Sequence, residues 1–79
     1  MSPRFPAVTS DEVITVIQKL GFLFKRQSGT SHAIYFRESD KRRTTIPVHK
    51  GRIIKKKTLK AILVDCALTV DQFNELRNS

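Results

Sequence analysis

The residue best suited to chemistry is His32, which closes the run Gln27-Ser28-Gly29-Thr30-Ser31-His32. It is one of two histidines in a chain rich in lysine and arginine. An imidazole titrates near neutrality, so it can take a proton from a ribose 2′-hydroxyl and return it without a metal. RNA cleavage is the reaction such a group could run beside a basic surface. A polar residue at the end of a strand is the competing reading, and the local sequence leaves both open.

The charge supports a polyanion as partner. Net charge is +8 over 79 residues, and it is concentrated in the middle of the chain. Thirteen of the fifteen Lys/Arg residues, but two of the seven acids, lie between Lys19 and Lys60. A cationic middle with acidic flanks fits nucleic acid, or an acidic protein that imitates it. Cys66 is the only cysteine, so no intrachain disulfide forms and a reducing cytoplasm is expected. It lies in an apolar stretch, as a core residue does. No apolar run reaches the ~20 residues that span a bilayer, and no secretion signal is read at the start of the sequence.

Several elements must position His32. Residues 1–8, with Pro3 and Pro6, read as a loose lead-in to one domain over 9–77. Thr9 and Glu12 form a capping box, and Val13, Ile17 and Leu20 recur at helical spacing. A first helix is expected over 10–20, stopped by Gly21 in the left-handed region with Phe22 folding back. Strands follow at 22–28, 31–37 and 42–48, joined by a two-residue Gly29-Thr30 turn and a second turn at 38–41. Pro47 places the third strand at an edge. Parity puts Phe24, Ile34, Phe36, Ile46 and Val48 on the face under the helices, and Tyr35 on an open face where it could stack a base. Thr58 is read as the cap of a second helix whose stripe is Leu59, Ile62, Leu63 and Cys66. Thr69 and Gln72 box a short last helix through Phe73 and Leu76.

The fold class is therefore α+β, α-β-β-β-α, with a three-stranded antiparallel sheet, two helices on one face and a short C-terminal helix. That order resembles the double-stranded RNA-binding domain, which presents a basic cluster much as Lys55, Lys56 and Lys57 do here. Four further segments sharpen the likeness. They are Leu20-Gly21-Phe22, Arg26 through His32, Ile46-Pro47-Val48-His49-Lys50-Gly51, and Lys57-Thr58-Leu59-Lys60-Ala61-Ile62-Leu63. In this order and spacing they resemble the HicA toxins, bacterial mRNA interferases of HicA–HicB toxin–antitoxin systems, over residues 10–73. The family's hairpin usually reads Gly-Ser-His; here Thr30 stands between glycine and serine.

The resemblance implies that His32 is the catalytic histidine of a metal-independent endoribonuclease without cofactor, acting on mRNA in the cytoplasm and slowing translation. It implies a HicB-type antitoxin that covers the site. Lys25, Arg26, Lys50, Lys55, Lys56 and Lys57 are the candidate RNA-binding cations, with Ser31 beside the histidine and Gly29 permitting close backbone approach. His49 invites a base-and-acid pair with His32, but its place after Pro47-Val48 also reads as structural. A zinc site from His32, His49 and Cys66 lacks ligand spacing and a fourth donor. A non-catalytic RNA-binding module shares the fold and the charge without needing the histidine. A basic adaptor for an acidic protein is a third reading.

Overall fold

The structure, a computed structural model, describes residues 5–79. Three helices and three strands follow in the order α1 (Ser10–Lys19), β1 (Leu23–Ser28), β2 (His32–Arg37), β3 (Arg42–Pro47), α2 (Lys56–Asp65) and α3 (Val70–Arg77). The strands form one antiparallel meander in the order β1-β2-β3. Of the lead-in expected over residues 1–8, residues 1–4 lie outside the described residues. Val8 is fully buried, and its carbonyl accepts from the Ile54 N–H at 2.8 Å.

Local signals set the helix ends. Thr9 and Glu12 make the reciprocal capping box, and Thr69 and Gln72 repeat it at α3. After α1 the chain turns at Gly21, φ +93°. The Phe22 N–H donates to the Ile17 carbonyl at 3.1 Å and the Gly21 N–H to Gln18 at 3.0 Å, a Schellman motif. This seats Phe22 in the core with none of its surface exposed. Arg37 locks the corner from above. Its guanidinium lies 4.5 Å from the Phe22 ring, donates to the Leu20 carbonyl at 3.0 Å and pairs with Asp40 at 2.8 Å.

The same motif closes α2 without a glycine. The Leu68 N–H donates to Leu63 and the Ala67 N–H to Val64, and Ala67 takes φ +57°. An L-residue in the left-handed region costs roughly 1–2 kcal/mol. Part of the gain from glycine is lost to the freer unfolded chain. Ala67→Gly is therefore expected to raise stability by ~0.5–1 kcal/mol, read as a higher urea midpoint at unchanged slope. A lower midpoint would show that Ala67 is not strained.

The helices bury one face of the sheet. Val13, Val16 and Ile17 of α1, Leu59, Ile62 and Leu63 of α2, and Val70 and Phe73 of α3 meet Ala33, Tyr35 and Ile46. On β2 this is the parity opposite to the one expected. Ala33 pairs with Ile46 and Tyr35 with Thr44, so these point to the helices. Ile34 pairs with Thr45 and Phe36 with Arg43 on the open face. Both parities of β2 are apolar, so alternation alone could not choose. A β-bulge between Phe24 and Arg26 then breaks the regular parity of β1. Phe24 is left 55% exposed, its ring edge-on to Tyr35 at 5.8 Å.

Cys66 is buried among the helices, and burial pushes its thiol up to about 11. The raised value opposes ionisation in the folded state, so the unfolded chain releases its proton first. Stability should fall as pH rises from about 9 to about 11. Tyr35, also raised by burial, adds to the fall at the upper end. Cys66→Ala should flatten the part that begins near pH 9, measured as urea midpoints across the series. An unchanged profile would show the thiol uninvolved.

Candidate active site and nucleic-acid interface

His32 opens β2 on the face of the sheet away from the helices, and it is exposed. The hairpin fixes it there. Ser28 pairs with His32 across a loop of three residues, Gly29 to Ser31, rather than the two expected. Thr30 stands at its middle. The imidazole holds a ladder position, because the hairpin closes on the Ser28–His32 pair. Gly29 has φ +67°, and among the described residues none but its chain neighbours comes within 4 Å of the point where a Cβ would stand, so the turn leaves open space beside its backbone.

On the other side His32 pairs with Pro47, whose missing N–H costs the edge nothing. The ladder continues one step, with the Val48 N–H donating to the Ser31 carbonyl at 2.6 Å. The chain then reverses. The Arg52 N–H donates to the His49 carbonyl at 3.0 Å, and Gly51 supplies φ +77° at the third position of the turn. This turn brings His49 and Arg52 to one rim with Lys50 at its tip. Together with Pro47, Ile53, Lys55 and Thr58, His49 and Arg52 line a cleft of ≈ 330 Å³.

The candidate cations divide into two sets. Arg26 pairs with Ile34, one step along the open face from His32. Lys25 is the bulged residue, its ammonium 4.6 Å from the Phe36 ring, toward the far end of the sheet. Lys55 lines the cleft, whereas Lys56 sits 5.4 Å over the Phe5 ring and Lys57 is exposed on the first turn of α2. Lys55, not Thr58, is the N-cap of α2. The entry is set by tertiary pairing, since Thr9 bridges to Ile53 and Ile54 bonds to Val8.

The start of α2 has no side-chain cap and no acid in its first turn. Cations at the positive end of a helix dipole each cost roughly 0.3–1 kcal/mol. Three lysines there weaken the helix and raise its attraction for anions. Among the described residues, the ion pairs join Arg37, Lys41, Arg42 and Arg77 to acids, and none involves the candidate cations. Their charge is thus uncompensated by neighbouring carboxylates.

A further expectation for the site is overturned. Tyr35 cannot stack a base, because it is only 6% exposed and faces the helices. His32, His49 and Cys66 do not converge, since Cys66 is buried on the opposite side of the sheet from His32. Among the described residues no group of three or more His, Cys, Asp or Glu is placed to hold a metal ion. Sequence reasoning also missed Arg52 and Ile53 as parts of a site. The turn signal His49-Lys50-Gly51-Arg52 was the available clue, as a glycine third in a turn folds its ends together.

In a comparison with protein families, residues 10–68 fit the family described as HicA toxin of bacterial toxin-antitoxin. No curated protein matches the chain.

Proposed function

The chain belongs to the HicA toxin family of bacterial toxin–antitoxin systems, and from that membership we propose that it is an endoribonuclease whose catalytic residue is His32. Membership also implies an antitoxin partner. The observation that supports the nuclease reading is the setting of His32. A solvent-reachable imidazole stands at the rim of an open basic face, one ladder step from Arg26 and paired with Pro47 of the cationic cleft. RNA carries its own nucleophile, the 2′-hydroxyl, so a base that removes this proton starts cleavage with no metal. The negative charge gathering on the phosphate oxygens meets Arg26, Lys50 and Lys55, with Lys25, Lys56 and Lys57 holding the flanking backbone. Ser31 and Gly29 shape the turn over which that backbone passes.

The substrate in this reading is mRNA in the cytoplasm, and its loss slows translation. Among the described residues no helix is long and apolar enough to cross a membrane. A HicB-type antitoxin with an acidic face would be steered to the same cations and would cover the site. Digestion of RNA by purified protein in excess chelator, with product ends identified, tests the activity. Binding that weakens with salt but leaves the RNA intact would replace the nuclease with a non-catalytic RNA-binding module.

A further inference from the structure

We infer that His49 is the general acid of the same reaction and that the cleft beside it seats the nucleotide on the leaving side of the scissile phosphate. This rests on the nuclease reading above. His49 is exposed and lines the cleft, and Pro47, two residues earlier, is the ladder partner of His32. The bond from Val48 to Ser31 holds the chain in register up to the residue before His49. His49 stands one residue past that bond, in the turn that leaves β3 beside the His32 end of the sheet. Two imidazoles flanking the same end of β3 are placed to take opposite sides of one phosphodiester.

The turn makes the placement firm, because the Arg52 N–H bond to the His49 carbonyl and the positive φ of Gly51 fix how the chain leaves the sheet. The cleft beside it has two kinds of wall. Pro47 and the half-exposed Ile53 offer apolar surface to the face of a base, and Arg52 and Lys55 offer cations to the next phosphate. Among the described residues no carboxylate lines it.

The step balances within the RNA and two side chains. The 2′-oxygen forms a bond to phosphorus as its proton passes to His32. The bond from phosphorus to the 5′-oxygen breaks, its electron pair stays on that oxygen, and protonated His49 supplies the proton. The products are a 2′,3′-cyclic phosphate and a 5′-hydroxyl. His32 ends with one proton more and His49 with one fewer, and exchange with water restores both.

The test compares an oligoribonucleotide with the same molecule carrying sulfur in place of the scissile 5′-oxygen. A thiolate leaves without help from an acid. His49→Ala and His49→Gln, both at an exposed site and checked for folding by circular dichroism, should slow the ordinary substrate by ~100-fold or more. They should cut the sulfur substrate within a few-fold of wild type, whereas His32→Ala should fail on both. Removing the base of the leaving-side nucleotide should also lower kcat/KM for the wild type. Equal losses of the His49 variants on both substrates, or no loss on either, overturns the acid, and indifference to the missing base overturns the cleft assignment. Wild-type protein inert toward both substrates sinks the nuclease reading itself and this assignment with it.

Discussion

His32→Ala is expected to lower the rate of RNA cleavage by ~10²–10⁴-fold, the usual worth of a positioned proton-transfer group. The same variant should unfold at an unchanged urea concentration, since exposed substitutions away from caps and cores stay within about ±0.5 kcal/mol. Its affinity for RNA should also hold, because Arg26, Lys50 and the α2 lysines remain in place. Induced in cells lacking an antitoxin, the wild type should arrest growth and the variant should not. The three readouts together separate chemistry from binding and folding. Cleavage surviving the substitution removes His32 from the reaction. Lost cleavage accompanied by a lowered urea midpoint shows a structural part instead.

Phe22→Ala is expected to cost ~3–5 kcal/mol through the cavity it leaves. A domain of this length has only about 4–12 kcal/mol in total, so the variant should be largely unfolded at growth temperature. Phe22 is fully buried where α1 turns into the sheet, with Arg37 stacked on its outer side. Phe24, two residues on, is the control. It is half exposed and contacts Tyr35 edge-on, so Phe24→Ala should cost about 1 kcal/mol or less. Equal losses at the two positions would mean that Phe24 is covered by the helices rather than left at the open margin of the sheet.

Those two phenylalanines show what the sequence could and could not tell. Short-range chemistry was readable: Thr9 with Glu12, Gly21 with Phe22, and Thr69 with Gln72 each act within a few residues and stand where expected. His32 shares its parity with Ile34 and Phe36, but that set lies on the open face and not under the helices, where alternation had put it. What failed depends on contacts between distant segments. Ala33-Ile34-Tyr35-Phe36 is apolar on both sides, and which side meets the helices is decided by pairing with Arg42–Pro47 and by the Lys25 bulge. The start of α2 follows from the Thr9–Ile53 bridge rather than from Thr58. The cleft is legible least of all, because it exists only once the 49–52 turn meets the edge of β3.

The kink at Lys25 also shapes how the molecule behaves when no partner is bound. β1 is an outer strand, exposed at every residue, with Leu23 and Phe24 showing apolar surface. A straight strand of that kind would recruit a second chain edge to edge and seed fibres. Here an extra residue interrupts the hydrogen-bonding row midway, and Lys25 and Arg26 put two cations at the break. The kink thereby makes the outer edge of β1 a poorer template for a second strand than a straight row would be.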